Sequence, residues 1–336
     1  MNPKVEDILN QTISLLDPDG QRSVFFPGGF AWWGRDFRTE VVIVNSPDQT
    51  PIFRIGSDMW KGFEGSEPDL AVLGSIMKCS TLSAPARLKI DPSRLGLWLD
   101  IPFDQEKGGW MSGFLALVAA QQNAEAARFS RIFCEWKADS SNPIPNKGTV
   151  PSPYADIETE LLTGLGRRGS FFVKDIELMA EQMESESLYN VQVGINGVSA
   201  EIPFGNQTAL IRFLAGQPHP RLGNGLFSFF TVPLEADPLL AMRMNELGLS
   251  PIQPVYGPGS WCVGEVGLTH LAFYPNAIYR QGLSCWAVDW SVQRAKWIRE
   301  AVLGKIWGDT VGISGGRNLP LYQSLLEIYR GERAAP

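Results

Sequence analysis

The feature that most constrains the fold is an ordered series of segments that occurs twice, about 170 residues apart. The stretch "PDLAVLGSIMKCSTLSA" begins at residue 68, and "PLLAMRMNELGLSP" begins at residue 238. Both open with Pro, continue with Leu-Ala and have the apolar spacing of a helix. Six further pairs of segments lie before and after this pair in the same order, and one of them places Pro102 against Pro275. A period of this length is that of a domain, so the sequence predicts a tandem duplication.

Each predicted copy contains an N-terminal helix, several strands, a central helix, further strands and a long C-terminal helix. Turn dipeptides such as Asn196-Gly197 predict hairpins, and hairpins make antiparallel sheets. The predicted fold class is therefore α+β, with two similar domains that each pack an antiparallel β-sheet with an N-terminal, a central and a long C-terminal helix. If the copies are equivalent, Leu70 and Leu240 of the two central helices should both be buried.

A change of composition divides the chain. The stretch "KADSSNPIPNKGTVPSP", which begins at residue 137, is rich in Pro, Ser, Asn and Lys, as linkers are. We therefore predict a first domain at 1–136, a linker at 137–170 and a second domain at 171–336. The stretch "LPLYQSLLEIYRG" predicts one extra helix at the end of the second domain.

Charge and hydropathy disfavour nucleic acid and membrane as partners. The net charge of −7 is spread over the chain, and neither predicted domain is basic, whereas nucleic-acid binding needs basic surfaces. No apolar run approaches the roughly 18 residues of a membrane span, and the first residues lack the layout of a signal peptide. The four cysteines are far apart, which is typical of reduced thiols. We expect a cytoplasmic protein.

The sequence offers little catalytic chemistry. There are two histidines, His219 and His270, without metal-ligand spacing, and no nucleophile or phosphate-binding motif meets its structural context. We expect no metal, no cofactor and no enzymatic activity. The alternative is an enzyme or small-molecule sensor with a cleft between the two domains, since pockets favour domain interfaces.

The order of elements resembles a known family. "DIPF" at residues 100–103 and "FYPN" at 273–276 both precede the last helix of a copy. With the duplication, this order resembles the type III secretion chaperone-like fold, and most closely its YbjN-type branch. That family is mainly single-domain, so the chain resembles a family dimer fused into one polypeptide. The resemblance implies a non-enzymatic bacterial protein-binding module, either a chaperone, an adaptor or a regulatory subunit, that holds an extended partner polypeptide.

The resemblance also implies exposed aromatic residues on the partner-binding surface, for which "FAWWGRDF" offers Trp32, Trp33 and Phe37. The alternative is that Trp32 and Trp33, as neighbours in a strand, divide between core and surface.

A third hypothesis concerns the end of the linker, where "GRRGS" is basic and polar. It predicts a site of proteolysis or modification at Arg167, Arg168 and Ser170. Cleavage by a partner protease there would separate the two domains.

Overall fold

The computed structural model describes the greater part of both predicted domains. The described residues are 3–34, 37–45, 49–61, 87–91, 94–103, 108–132, 169–204, 207–219, 222–234, 237–248, 257–264 and 267–302. The predicted central helix of the first domain, including Leu70, lies outside these residues, as do most of the predicted linker and the predicted extra C-terminal helix.

The described residues of the first half form one sheet and two helices. In chain order the elements are α1 (Pro3–Leu16), β1 (Ser23–Phe26), β2 (Gly29–Trp33), β3 (Arg38–Asn45), β4 (Pro51–Lys61), β5 (Arg87–Asp91), β6 (Arg94–Pro102) and α2 (Gly108–Ile132).

In the second half, the part of the chain that the structure describes forms one sheet, three α-helices and a short 3₁₀ helix at Asn276–Ile278. In chain order its other elements are α3 (Val173–Ser185), β7 (Tyr189–Gly194), β8 (Gly197–Phe204), β9 (Gln207–His219), β10 (Gly223–Val232), α4 (Pro238–Gly248), β11 (Ser260–Val263), β12 (Leu268–Pro275) and α5 (Leu283–Val302).

The protein is α+β, with two six-stranded antiparallel sheets. The strand order is β1-β2-β3-β4-β6-β5 in the first sheet and β7-β8-β9-β10-β12-β11 in the second. Counted from the first strand of each half, the two orders are the same. Each sheet therefore ends at its first strand on one side and at its fifth strand on the other.

Most element boundaries lie close to those expected from the sequence. Strands β11 and β12 form a hairpin and pair antiparallel from Ser260 opposite Leu271. The predicted hairpin near Asn196 is β7 and β8, but the turn is Ile195–Asn196 and Gly197 already belongs to β8. Leu240 of α4 is buried, as expected.

The apolar stripe of α1 is buried against the first sheet and α2. Val5, Ile8, Leu9, Thr12 and Leu16 all have little exposure, which confirms the amphipathic helix expected from their spacing. One contiguous core cluster contains buried residues from both halves of the chain.

The buried carboxylate of Asp175 lies in the first turn of α3 and also links this helix to α5 by a hydrogen bond. Asp175 accepts a hydrogen bond from the backbone N–H of Phe172 at 3.1 Å, which satisfies a donor at the helix start. The same carboxylate accepts hydrogen bonds from the hydroxyl groups of Tyr279 at 3.1 Å and Ser284 at 3.0 Å. These bonds fix the helix layer that covers the core face of the second sheet.

The two halves meet near the strands that end the sheets at the fifth position. Helix α4 contacts both β5 and β11, and the Gly257 N–H donates to the carbonyl oxygen of Asp100 at 3.1 Å. The rings of Trp110 and Trp286 pack edge to face with centroids 5.6 Å apart. The sheet ends at β5 and β11 are thus turned towards the other half of the chain.

Among the described helices, none is both long and apolar enough to span a bilayer.

Candidate functional site

The three aromatic residues expected on a partner-binding surface are buried, which corrects that expectation. Trp32, Trp33 and Phe37 are only 1%, 6% and 8% exposed. Trp32 lies in the core cluster, and Trp33 lies on the opposite face of β2, where the Arg38 guanidinium is 5.8 Å from its ring. All five residues of β2 are buried, so both faces of this strand are covered and the two Trp do not divide between core and surface.

Ser170 is half-buried, at the start of a segment that is held against the second half. The next residue, Phe171, is buried and packs edge to face on Tyr279, with ring centroids 5.1 Å apart. Arg167 and Arg168 lie outside the described residues. Cleavage or modification at these three residues stays a prediction.

The two histidines occupy separate packed environments. His219 is the last residue of β9. Its ring stacks on that of Phe273, with centroids 4.8 Å apart, and its Nδ1 accepts a hydrogen bond from the Leu222 N–H. His270 lies in β12, as expected, with its Nδ1 3.4 Å from a guanidinium nitrogen of Arg294. No three His, Cys, Asp or Glu residues in the described part of the chain are placed to hold a metal ion.

The two described thiols are poor nucleophiles. Burial raises the pKa of Cys262 to about 12. Burial and the neighbouring Asp289 carboxylate raise the pKa of Cys285, although a hydrogen bond with Ser284 opposes them. A thiol with a raised pKa stays protonated at neutral pH and reacts slowly.

The free energy of unfolding should therefore decrease at alkaline pH because of the Cys262 thiol. Its ordinary pKa is 9.0, so between pH 9 and 12 the unfolded thiol loses a proton that the folded one keeps. The contribution of this thiol to the free energy of unfolding is complete below pH 9. Above pH 9 it decreases by at most about 1.4 kcal/mol per pH unit. Urea unfolding at pH 7, 9 and 10.5 should show a steeper alkaline loss for the wild type than for Cys262→Ala. Equal slopes would contradict this assignment.

Four of the six large apolar side chains that are exposed in the described part of the second half lie in or beside the β7–β8 hairpin, and the other two, Phe172 and Val173, lie at the start of α3. Ile195 at the turn is 87% exposed and Val193 is 59% exposed, and Tyr189 and Leu210 are also exposed. Strand β7 is the end of its sheet and pairs only with β8 among the described strands. A strand that has one unpaired edge and carries apolar side chains is a template for another strand.

An open groove of about 370 Å³ lies beside this strand, on the sheet face opposite the core, which we call the outer face. The pairing register aligns Gly194 of β7 with Gly197 of β8 and then with Leu214 of β9. Two neighbouring strands therefore present no side chain in this row, which we call the glycine slot (Gly194 and Gly197). The residues that line the groove are Gln192, Val193, Gly194, Ile195, Asn196, Gly197, Val198, Ser199, Arg212 and Leu214.

The glycine slot leads to an aromatic ladder. The same row continues from Leu214 to Phe227 of β10 and Phe273 of β12. The rings of Phe227 and Phe273 are 4.6 Å apart, and Phe273 is fully buried. The slot is thus open to solvent at β7 and closed by apolar side chains at its inner end.

The opposite end of the second sheet is blocked by a side chain. Asn245 of α4 accepts the backbone N–H of Trp261 in β11 at 2.7 Å and donates to the carbonyl oxygen of the same residue at 3.0 Å. The amide of Asn245 thus takes the place that a neighbouring strand would occupy. This leaves β7 as the end of the second sheet that is available to another chain.

The corresponding end of the first sheet differs at the positions that form the groove. Strand β1 has four residues and is followed by Pro27, and both features protect a sheet edge. Phe26 pairs with Gly29 as Gly194 pairs with Gly197, so a phenylalanine stands where the slot opens in the second sheet. The exposed fraction of Phe25, 59%, equals that of Val193 in the matching position.

The charges of the two outer faces also differ. In the first sheet, Glu40 forms an ion pair with Arg38. In the second sheet, the row Gln192, Ser199, Arg212 places an exposed arginine at the position that matches Glu40. No carboxylate of the described residues forms an ion pair with Arg212, and the nearby outer-face carboxylate of Glu201 on β8 accepts a hydrogen bond from the Asn190 amide at 2.8 Å instead. Among the described residues that line the groove, Arg212 is the one that carries a charge.

No protein-family model matches the chain, and no curated protein or solved structure matches it significantly.

The groove residues were absent from the sequence-based site prediction, although two signals mark them. Ile195 is a large apolar residue at a hairpin turn, where small polar residues are the rule. Gly194 and Gly197 flank that turn inside strands, where glycine often marks a close approach of another backbone or a ligand.

Proposed function

We propose that the protein is a tandem of two related α+β units, and that the second unit holds an extended partner polypeptide. The partner adds a strand to β7 and places one large side chain in the glycine slot. This proposal rests on one observation. The open, apolar edge of the second sheet lies next to a row of positions in which two strands have no side chain. No catalytic step is part of the proposed function.

Strand addition provides affinity and selectivity through different groups. The backbone N–H and C=O groups of β7 that point away from β8 bond to the partner's backbone, whatever its sequence. Alternate partner side chains then point to the outer face. One of them lies over Gly194 and contacts the side chain of Leu214, which extends over Gly197, so that apolar contact excludes water.

The identical strand orders of the two sheets support the duplication. The resemblance to the type III secretion chaperone-like fold and its YbjN-type branch agrees with a role in holding extended polypeptides. The free thiol of Cys262 agrees with a cytoplasmic location. We therefore propose a chaperone, adaptor or regulatory subunit of bacterial origin as the biological role.

A charge at the exposed edge should abolish binding. Val193→Lys places an ammonium group beside the incoming strand, which opposes strand pairing. Peptides selected from a displayed random library on the wild-type chain should bind saturably, and Val193→Lys should weaken them at least tenfold, or about 1.4 kcal/mol. Fluorescence anisotropy with labelled peptides measures both affinities.

The matched control is Phe25→Lys, which changes an equally exposed residue at the end of the first sheet. It should leave peptide affinity unchanged. A second variant, Gly194→Val, fills the slot without a clash, because the nearest atom to an added Cβ is 3.6 Å away. It should also weaken binding tenfold or more. Absence of saturable binding, or equal effects of Val193→Lys and Phe25→Lys, would refute the proposed function.

A further inference from the structure

We propose that the bound segment carries an acidic residue two positions from its large apolar residue, and that Arg212 binds the carboxylate. This inference rests on the proposed function, because it concerns the strand that is added to β7. It names the chemistry of the partner: an extended polypeptide in which a glutamate or aspartate and a large apolar side chain point to the same face.

The register of the sheet sets the spacing of the two side chains. Gly194 and Gln192 are two residues apart in β7, and both point to the outer face. A strand paired with β7 therefore has one side chain in the row of Gly194 and the next outward one in the row of Gln192. On β9, the first row contains Leu214 and the second contains Arg212.

In the row of Gln192, the distance between the added strand and β9 allows an ion pair between two extended side chains. The added strand is three strand spacings from β9, or roughly 14 Å between backbones. Ser199 lies between β7 and Arg212 and has a small side chain, so the arginine can extend over it towards the edge. Arg212 lines the groove together with the β7–β8 hairpin. An acidic side chain that extends inward over β7 meets the guanidinium between β7 and β8.

The surroundings of Arg212 favour a carboxylate as its partner. The outer-face residues Leu210, Leu214 and Phe229 beside Arg212 are apolar, and no described carboxylate pairs with Arg212, since Glu201 on the same face is one row away. Side chains of the added strand that extend over this groove remove water from the guanidinium, which makes an unpaired arginine costly and a matched carboxylate favourable. In the first sheet the matching residue is acidic and already neutralised by Arg38, so the same selectivity is absent there.

Labelled ten-residue peptides test this inference. The first has one Leu and one Glu two positions apart in a Ser and Thr background; the others replace Glu by Gln, replace Glu by Lys, or move Glu three positions from Leu. The Glu peptide should bind the wild type about fivefold more tightly than the Gln peptide, and about 20-fold more tightly than the Lys peptide. The displaced Glu should give the affinity of the Gln peptide, because it points to the other face.

The variant Arg212→Glu should reverse the order and prefer the Lys peptide. Arg212 is exposed, so this variant should unfold at the wild-type temperature. If Val193→Lys abolishes binding but the Glu, Gln and Lys peptides bind equally, the proposed function stands and the acidic selectivity is overturned. If none of the peptides binds the wild type, strand addition itself is overturned, and the selectivity with it. Self-association through β7, detected as a dimer lost in Val193→Lys, would also overturn it.

Discussion

Replacing Asp100 by Ala is expected to lower the free energy of unfolding by about 3–5 kcal/mol. The Asp100 side chain is fully buried, and both of its oxygens accept hydrogen bonds from the Arg54 guanidinium, at 2.8 and 2.7 Å. Without the carboxylate, a partly buried cation loses its partner in a place that water reaches poorly. The backbone of Asp100 also accepts the Gly257 N–H, so the loss falls at the contact between the two halves.

Two control variants separate this effect from a general loss of charge. Arg38 and Glu40 form a more exposed pair, with 27% and 29% of their side chains accessible, so Glu40→Ala should cost less than about 1 kcal/mol. The double variant Arg54→Met with Asp100→Leu removes both charges and should recover most of the stability. Urea titrations give all three values. A loss below about 1 kcal/mol for Asp100→Ala would show that the pair contributes little.

The second large effect is expected at two glycines that occupy the same place in the two hairpins. A Cβ on Gly29 would lie 2.3 Å from the carbonyl oxygen of Val41, and one on Gly197 would lie 2.4 Å from that of Phe213. Both contacts are with backbone atoms of the neighbouring strand, which cannot move without breaking the ladder. Gly29→Ala and Gly197→Ala should each cost about 1–3 kcal/mol or more.

Gly194→Ala is the matched control for these two variants. It lies in the same hairpin as Gly197, but its added Cβ would be 3.6 Å from the nearest atom. Because glycine is unfavourable in a strand, this substitution should raise stability by about 0.5–1 kcal/mol. Thermal unfolding of the three variants gives the comparison. Equal stabilities for Gly194→Ala and Gly197→Ala would show that the register described for β7 to β9 is wrong.

Local pattern predicts much of the secondary structure of this chain. The stripe of α1, the alternation of β8 and the turn residues between β11 and β12 are each determined by neighbouring residues, so their boundaries follow from sequence. The turn of the first hairpin in the second half is less well determined. It falls one residue earlier than Asn196-Gly197, because the Gly197 backbone must pack against β9.

The binding surface is harder to predict because burial depends on what covers a strand. Trp32 and Trp33 look like a recognition pair in sequence, yet both faces of β2 are covered. Conversely, nothing local distinguishes β7 from β8; only the strand order places β7 at an end. The contrast between Arg212 and Glu40 likewise appears only when the two sheets are aligned by their pairing.

The measurement that tests the central claim most directly is amide hydrogen exchange of the full chain, with and without a saturating selected peptide. Strand addition to β7 predicts that the amides of Tyr189–Gly194 that point away from β8 exchange at least tenfold more slowly in the complex, because they gain backbone partners. Amides of Ser23–Phe26 at the end of the first sheet should be unchanged. Protection of Ser23–Phe26 instead, or binding without any protection of Tyr189–Gly194, would contradict the proposal that the second sheet holds an extended polypeptide at β7.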